Sequence, residues 1–292
     1  MPGRPESAAL SNPPSQSSSY GKGARLTYGE YLKIPELLEL QQCQSDPPAH
    51  DELQFIVVHQ VYELWFKLVM HELDEVMRLL DVGTDPEVHA AIRLCRRIQR
   101  ILEVLVKQIH VLESMRPHDF MAFRNHLKPA SGFQSVQFRE FECALGLKDG
   151  KLAAFASNDA RYPELLKRLE LPSLSDGLYA LLRARGFDVV APGEGRSPAD
   201  ADRSLAALKR IYDRPDDEWL LYELCESAVD IDEQVVLWRR HHVMMVERQI
   251  GDKPGTGVGT TGDLDGIRYL KTTLYRRAFP DLWNVRSVMD DA

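Results

Sequence analysis

The chain has 292 residues, 44% hydrophobic and 27% charged, the ordinary balance of a globular protein with enough apolar mass for a substantial core. Lys+Arg 36 against Asp+Glu 44 gives a formal charge of −8, a poor match to phosphate backbones, so no nucleic-acid partner is expected. No apolar run reaches the roughly 18–20 residues of a membrane-spanning helix and no basic-then-apolar leader opens the chain, so the expectation is a soluble cytoplasmic protein with no membrane partner.

Residues 1–23 are rich in Ser, Pro and Gly and have almost no large apolar residue before Tyr20. Such a segment buries too little surface to offset its ordering entropy and is expected to be a disordered tail. A short helix is predicted from Gly29 to about Cys43, before Asp46-Pro47-Pro48. Residues 50–80 read as one long helix, with Phe55, His59, Tyr62 and Phe66 at spacings of four, three and four. Asp85-Pro86-Glu87 opens a second long helix running to about Ser114. A third begins near Asp119 and breaks at Lys128-Pro129-Ala130-Ser131-Gly132, and 134–148 read as helical again. Between 150 and 215 the pattern weakens to short helices at Tyr162–Leu169 and Ser175–Arg185, a loop carrying Pro192, Gly193, Gly195 and Pro198, and a helix at 203–212. A last long helix covers 216–250. Period-two alternation is scarce, so the predicted class is all-α: one helical domain over 24–292, with 150–215 as a small helical insertion.

In the last helix, Leu220, Leu224, Ile231, Val235, Trp238, His242, Met245 and Gln249 share one stripe. His241 and His242 point about 100° apart on a helix, and only His242 joins the stripe. Periodicity alone leaves two readings of His242. One is a buried histidine satisfied by a hydrogen bond; the other is an axial ligand to an iron porphyrin, whose flat apolar faces suit an all-helical pocket. The cysteines Cys43, Cys95, Cys143 and Cys225 are scattered, with no C-x-x-C pair, so any haem would be non-covalent and no disulfide framework is expected. His59 shares the stripe of the first long helix; with Glu63 one turn on it spells an i, i+4 metal-ligand pair, or else a core histidine.

Gly257, Gly259 and Gly262 fit a G-x-G-x-x-G spelling. That motif belongs after a strand and before a helix, and here a helix precedes it, so a dinucleotide loop is rejected. The run suits either a glycine-rich lid over a small polar group or a plain connector. Arg124, on the aromatic-rich Phe120-Met-Ala-Phe123-Arg124, is either a surface group or a bidentate partner for a carboxylate. Arg93, Arg96, Arg97 and Arg100 read as a solvated helix face.

Several separate segments resemble one family. They are Leu26-Thr27-Tyr28-Gly29-Glu30-Tyr31-Leu32, Phe55-Ile-Val-Val-His59-Gln60, Glu63-Leu64-Trp65-Phe66-Lys67 and His71-Glu72-Leu73. Further on come Phe123-Arg124, Ser131-Gly132-Phe133-Gln134-Ser135, Trp238-Arg239-Arg240-His241-His242-Val243, Arg248-Gln249-Ile250-Gly251, Gly255-Thr256-Gly257 and Tyr269-Leu270-Lys271-Thr272-Thr273. In this order, from about residue 26 to 286, they resemble tryptophan 2,3-dioxygenases, members of the haem-dependent aromatic oxygenase superfamily.

The resemblance implies an all-helical homotetramer with one haem b per subunit, acting on L-tryptophan or a derivative with dioxygen. By position, His242 matches the iron ligand and His59 the distal histidine that meets the indole N–H. Phe55 matches an aromatic wall and Arg124 the carboxylate partner. Thr256 matches the flap threonine near the ammonium and carboxylate, and Ser131 a serine beside haem and substrate. Tyr28, Tyr31 and Leu32 match pocket residues donated by a neighbouring subunit. The implied reaction inserts both oxygen atoms across the indole C2–C3 bond to give N-formylkynurenine. The flap departs from the family's usual Gly-Thr-Gly-Gly-Ser-Ser-Gly: Val258 follows Gly257, Thr260-Thr261 replace serines, and Asp263-Leu264-Asp265-Gly266 lengthen the approach to Tyr269. Because a β-branched residue restricts angles that glycine permits, the alternative is a monooxygenase of tryptophan or a substituted tryptophan giving a 2-oxindole.

Overall fold

The computed structural model describes residues 26–148, 162–193, 195–251, 253 and 266–290. The expected tail at 1–23 and the glycine-rich stretch, Thr256 included, lie outside the described residues. Among the described residues every regular element is helical, as the periodicity predicts.

The chain divides into an N-terminal unit ending at Gln41 and a larger unit from Gln42 onward. In the first, the helix expected to continue from Gly29 to Cys43 is two short ones, α1 (Tyr28–Leu32) and α2 (Ile34–Leu37). Thr27 and Glu30 form a capping box at the start of α1. Lys33 then takes a left-handed conformation, φ 54°, which ends α1 and starts α2. Pro35 accounts for the break, since it has no N–H for the Tyr31 carbonyl and its ring clashes with that carbonyl, whereas it is tolerated in the first turn of a new helix. Neither helix has a buried residue.

In the larger unit the frame is α3 (Glu52–Val82), α4 (Asp85–Glu113) and, far along the chain, α10 (Trp219–Ile250). The buried side of α3 carries Val58, Tyr62, Phe66, Val69, Leu73, Val76 and Leu80, the spacing of an amphipathic helix. Gly83, φ 70°, closes α3 in the left-handed region and donates its N–H to the Leu79 carbonyl. Pro86, inside the first turn of α4, starts the return. The two helices are pinned by Tyr62 Oη donating to the Leu105 carbonyl at 2.8 Å and Gln108 Nε2 donating to the Val58 carbonyl at 2.8 Å. On its other side α4 packs against α10, so it is the central helix of the three. Its buried row Val88, Ile92, Cys95, Ile98, Leu102, Leu105, Ile109 and Leu112 has the 3–4 spacing this requires.

Between α4 and α10 come α5 (Pro117–Arg124), α6 (Val136–Leu145), α7 (Tyr162–Glu170), α8 (Leu174–Ala184) and α9 (Pro198–Asp213). Helix α9 begins five residues before the predicted 203. Pro198 is its first residue rather than part of a loop, because Ser197 and Asp200 make a capping box and proline is tolerated in the first turn. Leu174, Leu178 and Tyr179 of α8 and Leu208 and Ile211 of α9 enter the same core as α3, α4 and α10.

Two short helices unmarked by any long apolar period, α11 (Gly266–Thr272) and α12 (Pro280–Asn284), end the described chain. Buried polar anchors place the last of them. Asp232 on α10 accepts from the backbone N–H groups of Ala278 and Phe279 and, at 3.0 Å, from Trp283 Nε1. Asp281 of α12 accepts from Tyr179 Oη at 2.6 Å and takes a two-pronged contact from Arg196 at 2.7 and 3.0 Å. A carboxylate this enclosed is tolerated because its charge is paired and its lone pairs are filled.

Candidate active site

A cavity of about 730 Å³ is lined by α3, the C-terminal part of α4, α5, the 130–135 turn, α6 and α10. Its size is that of a pocket for a small organic ligand or cofactor. It brings together five of the predicted site residues: Phe55, His59, Arg124, Ser131 and His242. Tyr28, Tyr31 and Leu32 belong to the N-terminal unit and are exposed there, at 78%, 71% and 41%, although tyrosine and leucine bodies favour burial. Thr256 lies outside the described residues.

On α10 the stripe separates the two histidines as its spacing predicts. His242 faces the cavity, while the ring of His241 meets His110 of α4 edge-on at 5.3 Å and does not line the cavity. The His242 imidazole stacks almost parallel on Trp238 one turn earlier, centroids 5.0 Å apart and planes 9° apart. Burial, helped by the positive charge of Arg139, pushes the His242 pKa down to about 4. The ring is therefore neutral at pH 7 and keeps a lone pair for a metal.

His59 is fixed by its own helix. Its Nδ1 lies 2.7 Å from the carbonyl oxygen of Phe55, one turn back. A carbonyl only accepts, so Nδ1 carries the proton. Burial lowers the His59 pKa, so the ring is neutral and Nε2 is an acceptor. Phe55 packs 4.1 Å from the imidazole and 5.7 Å from both Phe120 and Phe123, an aromatic wall beside the acceptor nitrogen. Arg124 stands at the end of α5, where Pro117 opens the helix and a single 3₁₀ turn, Asn125–Leu127, follows it.

Of the i, i+4 pair spelled by His59 and Glu63, the carboxylate is taken up by hydrogen bonds. Glu63 accepts from Ser135 Oγ at 2.6 Å and Gln137 Nε2 at 2.7 Å. Among the described residues no group of three His, Cys, Asp or Glu side chains converges on a metal position. The Arg93–Arg100 series is the solvated face expected, with Arg97 paired to Glu72 and Arg100 to Glu103.

Sequence reasoning misses one polar cluster on the cavity wall. Glu142 of α6 is buried between Arg139, at 2.7 Å, and Arg239 of α10, at 2.6 Å, and Arg239 also donates to the Arg276 carbonyl. Burial opposes ionisation of Glu142, but the two guanidinium groups outweigh it and hold its carboxyl below the usual range. The Arg139/Glu142 spacing of three was the one local signal; Arg239 arrives from a distant helix. Nearby, the Trp238 indole N–H is buried with no hydrogen-bond acceptor among the described residues. These donors, a neutral histidine in an aromatic cavity and an excess of guanidinium charge, fit a flat apolar cofactor that carries a metal and anionic side groups.

The sequence profile of a family described as tryptophan 2,3-dioxygenase matches residues 14–173 and 174–289. A protein of Anaeromyxobacter dehalogenans (strain 2CP-C) named tryptophan 2,3-dioxygenase is 45% identical over 272 residues, 91% of this chain and 97% of that one. Proteins of the same name from Nocardioides sp. (strain ATCC BAA-499 / JS614) and Caulobacter vibrioides (strain ATCC 19089 / CIP 103742 / CB 15) are 44% and 41% identical. They are covered over 97% and 98% of their lengths, and this chain over 92% and 90% of its own. With its helical frame and its cavity of paired histidines, the chain belongs to the tryptophan 2,3-dioxygenase family.

Proposed function

We propose that this chain is an enzyme that adds dioxygen across the C2–C3 bond of L-tryptophan, both atoms entering the product N-formylkynurenine. The observation that carries this reading is the meeting, in one cavity, of a metal-competent histidine, an acceptor histidine, an aromatic wall and an arginine, namely His242, His59, Phe55 and Arg124. The cofactor of the proposal is haem b, one per subunit, which neutral His242 would ligate through its lone pair, with the positive charge of Arg139 and Arg239 around Glu142 favouring its anionic groups. When bound it supplies the dioxygen activation that no side chain here provides.

The chain's own work is binding, orientation and exclusion of water. His59 Nε2 accepts the indole N–H, a role its Nδ1 bond to the Phe55 carbonyl reserves for it. Phe55 and Phe120, stacked on each other, form one wall against the indole ring and keep water from it. Arg124 takes the substrate carboxylate through its planar fork. Ser131 lies beside cofactor and substrate on the 130–135 turn, and Thr256 meets the ammonium and carboxylate from the glycine-rich flap.

Tyr28, Tyr31 and Leu32 complete a neighbour's pocket in a homotetramer, which gives a burial partner to side chains left exposed in their own unit. Residues 24–292 act as one catalytic domain, with 150–215 as its helical insertion. The enzyme works in the cytoplasm; among the described residues no helix is long and apolar enough to cross a membrane.

The test is product mass after haem-loaded, reduced protein meets L-tryptophan under ¹⁸O-labelled dioxygen. Two labelled atoms in N-formylkynurenine are expected. A single labelled atom in a 2-oxindole product overturns the dioxygenase reading in favour of monooxygenation.

A further inference from the structure

Glu63 has a task that neither metal binding nor the proposed substrate contacts supply. It is a half-buried carboxylate on the cavity wall, one helical turn beyond His59. Such a charge is tolerated only when its oxygens are satisfied. Oε1 accepts from Ser135 Oγ at 2.6 Å and Oε2 from Gln137 Nε2 at 2.7 Å, and the same amide nitrogen lies 3.0 Å from the Glu63 carbonyl oxygen. Both partners are neutral. They come from the first residues of α6, whose exposed N–H groups favour a negative charge at that end.

Ser135 links two elements through one hydroxyl. Its oxygen accepts from the Phe138 N–H, capping α6, while its proton goes to Glu63. Immediately before it lies the turn that supplies Ala130, Ser131, Gly132 and Gln134 to the cavity wall. That turn is closed on itself by Gln134 N–H to the Ser131 carbonyl and Ser131 N–H to Gln134 Oε1. It is therefore one small hydrogen-bonded unit, and the end adjoining α6 is held to α3 by Glu63.

We infer that Glu63 is a positioning residue: its carboxylate is the strut that keeps the Ser131 turn in register with His59 across the substrate cavity. The consequence for turnover rests on the proposed function; the strut itself does not. In Glu63→Ala the Ser135 hydroxyl loses its acceptor and the Gln137 amide keeps only the backbone carbonyl of residue 63, so the turn loosens while His59 keeps its bond to Phe55.

Hydrogen–deuterium exchange on the haem-loaded protein tests the strut directly. In Glu63→Ala, amides of residues 131–138 are expected to exchange about tenfold faster or more, the rest of α3 and α4 keeping wild-type rates. Steady-state kinetics with L-tryptophan are expected to show KM raised about tenfold with kcat within about threefold, the split that misplaced binding groups produce and a general loss of fold does not. Glu63→Gln, which keeps one acceptor oxygen, falls between the two. Ser135→Ala added to Glu63→Ala adds little to KM, since the two share the contact that holds the turn, while exchange at Phe138 rises further because Ser135 also caps α6. Wild-type exchange at 131–138 in Glu63→Ala, or an unchanged KM in an active enzyme, overturns the proposal. Should Glu63→Ala not fold, Glu63→Gln and Ser135→Ala carry the same comparison. A wild-type protein inactive on tryptophan overturns the proposed reaction, and the exchange result still decides the strut.

Discussion

A His242→Ala variant is expected to purify with its Soret absorbance per protein reduced about tenfold or more, because even indirect partners of a metal ligand cost 10–100-fold in affinity when removed. The neutral state of His242 is the physical basis. Burial holds its pKa near 4, so at pH 7 no proton competes with the metal for the ring nitrogen. The parallel stack on Trp238 limits the rotamers of the ring and presents it in one orientation. His241→Ala is the internal control: its ring lies against His110 and away from the cavity, so haem content should be that of wild type. Imidazole added to His242→Ala should restore part of the Soret band by filling the vacated space. Full haem retention in His242→Ala without added imidazole would place the ligand elsewhere.

The second large effect is expected from Arg124→Ala. Removing one partner of a desolvated charge pair costs about 2–5 kcal/mol, and for this variant the loss should appear in kcat/KM for L-tryptophan. Arg124→Lys recovers only part of it, since an ammonium cannot reproduce the bidentate fork. A substrate analogue without the carboxylate, such as tryptamine, should be handled about equally by wild type and variant. Equal kcat/KM values for L-tryptophan in Arg124→Ala and wild type would remove this residue from the carboxylate site.

Much of the frame was legible because long helices repeat their signal. The buried row of α4 runs through seven turns, and the stripe on α10 was enough to choose His242 over its neighbour. The same logic fails for short elements. Helices α11 and α12, seven and five residues long, show no period, and α12 is held by tertiary contacts, among them the buried carboxylates Asp232 and Asp281. The break at Lys33 was readable from Pro35, and the start of α9 from Ser197, Pro198 and Asp200, but cap chemistry is local and easily outvoted by loop composition. In the site, Ser131 had no physical signal of its own and Arg124 an ambiguous one, a guanidinium ending an aromatic-rich stretch; the roles proposed for both come from the family resemblance. Spacing left the part played by Glu63 open, because it reports which side chains share a face, whereas the hydrogen-bond donors to Glu63 come from Ser135 and Gln137, over seventy residues away. The Glu142 cluster was invisible for the same reason: Arg239 lies 97 residues from its partner.

The scattered cysteines have a use that their chemistry alone does not suggest. All four thiols are free, and Cys95, Cys143 and Cys225 are buried, their pKa values pushed up to about 12 chiefly by desolvation. Thiolate is the reactive form, so these three are unreactive while the fold is closed. Cys43 is partly accessible. They stand on α4, α6 and α10, so the folded protein carries a tally of its own opening. Maleimide at neutral pH should add one mass label to the native state and four after denaturation. The pace at which the second, third and fourth labels arrive, resolved by peptide, would report which of these helices releases its neighbours first.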